Sequence, residues 1–287
     1  MLSSRFDYHR PGTLDEALKL LAELDDAKIL AGGQSLIPVM KLRLAAPAHL
    51  VDINRVPGLD AIEEGDGSLR IGALVRHNQM VSSGTVAGFP MLAAAAPQIA
   101  DPIVRNLGTV GGSLAHADPA GDWGAVMLAA GASVIVRGPR GERELAMTEF
   151  LVDVFTTALE PDEILTQVAV PKPSDSSGGT YLKLERKIGD FATVGAAVQV
   201  ELSNGTIARA GIALTGVGAT NIHATDAEAS LAGAEPNKAA FAEAGRLAAA
   251  ATSPVADVRG SAEYKRHVAD VFVRRGLVRA VEMARAA

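Results

Sequence analysis

Ala31-Gly32-Gly33-Gln34-Ser35-Leu36 is the stretch on which the fold turns, and Thr109-Val110-Gly111-Gly112-Ser113 echoes it. Each follows a segment able to run extended, and each leads into a longer apolar run. Adjacent glycines have no Cβ, so their backbone N–H groups can approach a bulky anion and the chain can adopt positive φ. A helix starting just downstream would add free N–H donors and the positive end of its dipole. Either pair alone reads equally as an ordinary tight turn. Together, each with a serine close behind, they point to an anion site where two loops close on a pyrophosphate from opposite sides.

Outward from the first pair, Thr13-Leu14-Asp15-Glu16 reads as a capping box. Leu14, Ala17, Leu18, Leu21 and Ala22 keep helical spacing, which predicts an amphipathic helix over 14–24. Lys28-Ile29-Leu30-Ala31 reads as a short buried strand ending at the glycines. Pro38 falls in the first turn of a helix that would carry Val39, Met40, Leu42 and Leu44. His49 to Ile53 reads as a second strand, completing a small α/β lobe. The turn Glu64-Gly65-Asp66-Gly67 introduces a strand over 69–73, and residues 76–100 read as two helical pieces broken around 84–90. After the second glycine pair come a helix over 123–130, a strand over 132–137 turned at Pro139-Arg140-Gly141, and a strand over 163–170.

Pro171 to Gly179 reads as the linker. Beyond it, residues 180–186, 193–203 and 206–216 predict a three-stranded antiparallel meander, with Asn204-Gly205 as a hairpin turn. Residues 224–233, 237–251 and 261–285 then read as helices. Strands followed by helices make this second part α+β, and the chain as a whole is read as α+β. No internal repeat is visible, because the two glycine pairs sit in dissimilar surroundings.

The 287 residues leave room for about two domains. A formal net charge of −6 argues against nucleic acid as the main partner. Gly, Pro and charged residues interrupt every apolar run short of membrane length. The N-terminal MLSSRFDYHRPG lacks the apolar centre of a signal peptide, so a cytoplasmic address is expected. The absence of cysteine excludes disulfides, thiolate chemistry and cysteine-ligated iron–sulfur clusters in this chain. His9, His49, His77, His116, His223 and His267 are scattered, so no metal site is expected.

Several further residues bear on chemistry. Asp118 and Asp122 flank a Pro-Ala-Gly turn after the second glycine pair. One of them, Asp122 first, could cap the following helix, and both could accept from ligand hydroxyls. Lys183, Arg186 and Lys187 form a basic cluster that reads either as a solvated charge run or as charge placed near a ring that becomes anionic on reduction. Phe191 follows it, in a chain with only seven Phe, three Tyr and one Trp, and could lie against a planar ligand. Gly216-Val217-Gly218-Ala219-Thr220-Asn221 begins like a dinucleotide fingerprint but has Asn at the third glycine position, so a Rossmann site there is not expected. Neither a P-loop nor a GxSxG elbow occurs.

AGGQSLIPVMKLRLAAPAHLVDI, LGTVGGSLAHADPAGDW and YLKLERKIGDFATVGAAV resemble the flavoprotein (medium) subunits of molybdenum hydroxylases. The similarity runs from FDYHRP near the N-terminus to RGSAEYKRHVADVFVRR near the C-terminus. Within that family the chain is most similar to the medium subunits of aerobic, molybdenum-containing carbon monoxide dehydrogenases. The resemblance implies an FAD-binding domain of the vanillyl-alcohol-oxidase/PCMH type over 1–175, with lobes of about 1–55 and 56–175, followed by a smaller α+β flavoprotein C-terminal domain over 178–287.

It also implies that Lys28, Ile29, Leu30, Ala31, Gly32, Gly33, Gln34, Ser35 and Leu36, with Thr109, Val110, Gly111, Gly112 and Ser113, wrap the FAD pyrophosphate and its flanks. Asp122, Ile164 or Leu165, and a lysine at Lys183 or Lys187 would touch FAD as well. Relatives often have Tyr where this chain has Phe191. The implied partners are a small subunit with two [2Fe–2S] clusters and a large molybdenum-cofactor subunit, as a dimer of heterotrimers, with a quinone or other electron acceptor. The resemblance also allows peripheral association of the complex with the inner face of the cell membrane. Three alternatives stay open: a medium subunit serving an N-heterocycle or aldehyde, a stand-alone flavin oxidase of the same fold, and a scaffold without flavin.

Overall fold

A computed structural model describes residues 2–286. The first lobe runs β1 (Asp7–His9), α1 (Leu14–Glu23), β2 (Ala27–Leu30), α2 (Leu36–Lys41) and β3 (His49–Asp52), with the three strands parallel in the order β1-β3-β2. Thr13 starts α1 as expected, its hydroxyl accepting from the Glu16 N–H at 3.2 Å. Strand β1 was not expected from sequence. Helix α2 is shorter than its apolar spacing predicts: it ends at Lys41, Arg43 turns left-handed at φ 58°, and Leu42 and Leu44 lie exposed beyond it.

The second lobe is built on the antiparallel sheet β4-β5-β10-β6-β7. Its strands are β4 (Ile62–Gly65), β5 (Ser68–Gly72), β6 (Ser133–Gly138), β7 (Gly141–Ala146) and β10 (Ile164–Pro171). Between β5 and β6 run six helices: α3 (His77–Ser82), α4 (Gly84–Ala87), α5 (Pro90–Ala95), α6 (Pro102–Leu107), α7 (Val110–His116) and α8 (Asp122–Ala130). After β7 come α9 (Met147–Phe150) and the small hairpin β8 (Leu151–Asp153) and β9 (Thr156–Thr157). The expected two helical pieces over 76–100 are three helices and a 3₁₀ turn at Ala96–Gln98, since Ser83, Phe89 and Pro97 each interrupt the ladder. Asp101 caps α6 through the Val104 N–H at 2.9 Å, a helix the sequence reading passed over.

The last part forms the sheet β11 (Ser177–Leu184), β12 (Val194–Ser203), β13 (Thr206–Thr215) and β14 (Ile222–His223), followed by α10 (Thr225–Leu231), α11 (Lys238–Ala250) and α12 (Ala262–Ala286). The expected three-stranded meander is thus four-stranded, the short β14 pairing back on β13. Asn204 and Gly205 both take positive φ, 50° and 82°, as a two-residue hairpin turn requires. Ser177, Gly178 and Gly179 belong to β11 rather than to the linker, which shrinks to 172–176. Gly178 is buried there, and only glycine fits, since a Cβ would stand 2.0 Å from the Ala280 carbonyl of α12.

Helix α8 joins the two halves. All nine of its residues are buried, as expected of a helix that is apolar on every side. One side packs into the core of the second lobe, and the other meets β12 and β13 through Ala197 and Ala213. The approach is close: a Cβ on Gly211 would stand 1.9 Å from the Ala129 carbonyl, and one on Gly124 would stand 1.9 Å from Asn221 Oδ1. The Gly216–Asn221 segment that imitates a dinucleotide fingerprint is part of this junction. Gly216 N–H donates to the Pro119 carbonyl at 2.8 Å and Asn221 Nδ2 to the Gly121 carbonyl at 3.1 Å.

Candidate functional site

The two glycine segments meet. Gly32 sits so close to α6 that a Cβ would stand 2.3 Å from the Leu107 carbonyl, and a Cβ on Gly112 would face the Ala31 methyl at 3.6 Å. Beside this contact lies a cleft of about 460 Å³. Leu30, Ala31, Gly32, Gly33 and Gln34 form one wall, and Ile37, Pro38 and Lys41 continue it along α2. Asn54, Arg76 and Leu107 complete the lining.

The first segment is open. Gly33 takes φ 71°, and among the described residues no protein acceptor receives the N–H groups of Gly32, Gly33, Gln34 or Ser35. A glycine-rich turn with unpaired N–H groups beside Lys41 and Arg76 suits an anion. The second segment is different. Gly111 and Gly112 lie inside α7 rather than in a loop, and its first N–H groups are all taken. Val110 donates to the Val75 carbonyl at 2.9 Å, Gly111 to Ala73 at 3.1 Å and Ser113 to Thr109 at 3.0 Å. Gly112 donates to the Thr109 hydroxyl at 3.0 Å. The expectation of free helix N-terminal donors therefore fails for this segment.

Asp122 is not a cap: Gly121 holds that position, and Asp122 is the first residue of α8. Its carboxylate is buried between Tyr181 Oη at 2.5 Å and Lys183 Nζ at 3.0 Å. Burial pushes the Asp122 carboxyl up, while the Lys183 ammonium and the Tyr181 hydroxyl pull against it. Burial and the Asp122 charge push the Tyr181 phenol well above its ordinary range, so it stays a donor. Lys183 also donates to the Gln98 carbonyl at 2.9 Å, and its side chain is only 1% exposed. The basic cluster thus divides: Lys183 is buried in the junction, Arg186 pairs with Asp190 at 3.6 Å, and Lys187 is exposed.

Asp118 shapes the turn before α8, its Oδ1 accepting from the Ala120 N–H at 2.9 Å. Ile164 and Leu165 both face cores, Ile164 that of the first lobe and Leu165 that of the second. Lys28 is exposed on β2, while Ile29 packs on the first-lobe core.

Phe191 stands half exposed on the β11–β12 loop. That loop rests on the start of α6, where a Cβ on Gly189 would meet the Asp101 nitrogen at 2.9 Å. Helix α6 therefore runs from the Phe191 loop to the glycine cleft, a span of about 9 Å. Ile103 and Leu107, four residues apart on one face of α6, are both exposed along it. Sequence reasoning missed Asn54, Arg76 and Lys41. Arg76 alone had a visible signal, a charge ending the buried run Ile71–Val75.

Comparison with known proteins gives the family of the chain. Residues 4–173 match the family described as the FAD binding domain in molybdopterin dehydrogenase. The chain belongs to that family. Residues 179–280 match the CO dehydrogenase flavoprotein C-terminal domain. The flavoprotein is 42% identical to the carbon monoxide dehydrogenase medium chain of Hydrogenophaga pseudoflava, over 96% of this chain and 97% of that one. It is also 42% identical to subunit alpha of the 6-hydroxypseudooxynicotine dehydrogenase complex of Paenarthrobacter nicotinovorans, over 98% and 96%. The solved structure of carbon monoxide dehydrogenase from H. pseudoflava, in a form lacking the Mo-pyranopterin moiety, superposes with a TM-score of 0.97 at 44% identity, covering 99% of both chains.

The flavoprotein is accordingly an oxidoreductase subunit with FAD as its cofactor. The cleft fits that group: unpaired N–H donors and two cations suit a diphosphate, and a Cβ at Gly32 would disturb the wall that holds them. No helix among the described residues is long and apolar enough to cross a membrane.

Proposed function

We propose that the chain is the electron-transfer subunit of a three-subunit molybdenum hydroxylase of the carbon monoxide dehydrogenase type. Electrons would enter from [2Fe–2S] clusters on a small partner subunit, and a large molybdenum-cofactor subunit would oxidise the substrate. They would leave to a quinone or another acceptor, at a cytoplasmic site that includes the inner membrane face. The observation that carries this reading is the open glycine loop facing Lys41 and Arg76, in a chain that matches a family of FAD-binding subunits almost end to end.

When bound, FAD supplies reversible uptake and release of electrons. The residues of the chain do the rest. The Gly32–Ser35 N–H groups would receive the diphosphate. Gly111 and Gly112 bring α7 close enough to back that loop. Ile103, Leu107 and Phe191 offer an apolar track along α6 for the flavin ring. Asp122, Tyr181 and Lys183 hold the two halves in register. Residues 1–175 would thus be the cofactor-holding unit, in two lobes, and 178–287 the unit that closes it.

A stand-alone oxidase would need an acid–base group at the ring, and the nearest candidate is unsuited. Burial opposes ionisation of Asp190, but bonds from Arg259 at 2.9 Å and from the Phe191 N–H at 2.8 Å outweigh it and hold the carboxyl below the ordinary range. One variation on the main reading has support: relatives named for carbon monoxide and for 6-hydroxypseudooxynicotine share the same 42% identity with this chain, which favours a substrate chosen on another chain. Reconstitution tests the proposal. Substrate-dependent flavin bleaching should be absent with this chain alone and appear when both partner subunits are added. Turnover by the lone flavoprotein would overturn it.

A further inference from the structure

The cleft holds a connection that crosses it. Arg76 Nη1 donates to the Leu107 carbonyl at 2.7 Å, and Nη2 donates to Asn54 Oδ1 at 2.5 Å. Asn54 Nδ2 in turn donates to the Ala31 carbonyl at 2.8 Å and to Asp52 Oδ1 at 2.6 Å. A chain of bonds therefore runs from Ala31, which opens the glycine loop of the first lobe, to Leu107, which ends α6 in the second. The Leu107 carbonyl is also the atom that Gly32 approaches most closely. The backbone of Arg76 is fixed as well, its N–H donating to Gln79 Oε1 at 2.7 Å.

A guanidinium has five N–H donors in a rigid plane and remains charged throughout the accessible pH range. Two bonds to neutral oxygens leave the rest of the Arg76 fork uncommitted, beside the unpaired N–H groups of Gly32 to Ser35. Lys41 also lines the cleft, but it is exposed and makes no ion pair among the described residues. Arg76 is the cation whose position is set in advance. Burial lowers its pKa, and Asp52 and Asp60 oppose that shift.

We propose that Arg76, held in place by Asn54, is a cofactor-binding residue that donates to the diphosphate of FAD and latches the two lobes around it. The inference rests on the FAD reading of the cleft and names a side chain outside both glycine segments. Charge neutralisation and latching then reinforce each other: the diphosphate completes the Arg76 fork, and the fork holds the loop that receives the diphosphate.

The test is titration of the deflavinated full chain with FAD, ADP and adenosine, for wild type, Arg76→Ala, Arg76→Lys and Asn54→Ala, with Gly33→Val as reference. One charge-assisted contact corresponds to a loss of about 10- to 100-fold in affinity. Arg76→Ala should lose that much for FAD and ADP and leave adenosine unchanged, and rising salt should narrow the gap from wild type. Arg76→Lys should recover part of the loss, because it keeps the charge without the fork, and Asn54→Ala should lie between. If Arg76→Ala unfolds, Arg76→Gln keeps a donor for Leu107 without the charge and must show the same ADP-specific loss. Equal losses for ADP and adenosine would overturn the inference in favour of a purely structural latch. Intact FAD affinity in Arg76→Ala, with Gly33→Val defective, would overturn it while leaving the FAD reading standing. Failure of wild type to bind FAD would remove both.

Discussion

Gly32-Gly33 and Gly111-Gly112 look alike in sequence and solve different physical problems. At the first pair, the backbone is left unpaired toward a cleft, and Gly33 takes a left-handed φ of 71°. At the second, every N–H from Val110 to Ser113 is bonded inside the protein, and φ is ordinary. There the missing Cβ serves packing: one on Gly111 would stand 2.6 Å from both Ala73 Cα and Ala73 Cβ. The first pair presents donors, and the second lets a helix press against a strand end and brace the first. A double glycine thus marks a place where backbone must come close to something, and only structure says whether that something is ligand or protein.

The contrast predicts opposite phenotypes. Gly111→Ala should chiefly cost stability, because Ala73 backbone cannot move aside as a flexible side chain would. Overpacking of this kind costs about 1–3 kcal/mol, and the upper end is expected in urea unfolding, with flavin occupancy falling only as the folded fraction falls. An undamaged unfolding midpoint would mean that α7 has freedom its packing does not show.

Acid should act on the same region. Trp123 Nε1–H donates to His77 Nδ1 at 3.0 Å behind the second segment, and the His77 N–H holds the Gly108 carbonyl at 3.0 Å. Burial, together with the Arg105 and Arg76 charges, pushes His77 down to about 4. Above its unfolded value of about 6.5 the residue is neutral in both states and contributes nothing. As pH falls below that, the unfolded chain takes up a proton that the folded chain refuses, so stability drops until about pH 4. The full loss is on the order of 3 kcal/mol. His77→Gln should flatten that part of the pH profile; an equally steep profile would assign the acid sensitivity elsewhere.

Much of the fold was legible because local chemistry and tertiary structure agreed. Thr13 with Glu16, Asn204 with Gly205 and the three terminal helices are such places. Disagreement arose where a long-range partner decided. Nothing near Asp122 in sequence announces Tyr181 and Lys183, 59 and 61 residues away, so a carboxylate buried at the junction read as a helix cap, a position that Gly121 holds. Helix α6 was missed because six residues that begin with a proline carry little periodicity, although its Leu107 lines the cleft. Asn54 and Arg76 escaped for a related reason: Asn54 lies just past β3 and Arg76 caps the start of α3, and the bond that joins them forms only once the lobes face each other.

The smallest expected effect lies at the far end of α6. Phe191→Ala should shift the flavin reduction potential and fluorescence while leaving the unfolding midpoint unchanged. An aromatic contact of this kind is worth about 1 kcal/mol, so FAD affinity should fall by less than about tenfold. If neither potential nor fluorescence moves, the ring does not lie beside Phe191.

The direct test of the whole account is the flavin content of Gly33→Val, read from the absorbance of the purified chain and set against its unfolding midpoint. A β-branched residue at a left-handed φ is strained by about 1–2 kcal/mol, and its side chain would meet Leu30 Cδ1 and Ile37 Cγ1, 3.1 and 3.2 Å from the position of its Cβ. The loop should lose the shape that presents its N–H groups. The account predicts a folded, colourless protein. A folded protein carrying its full complement of FAD would contradict it.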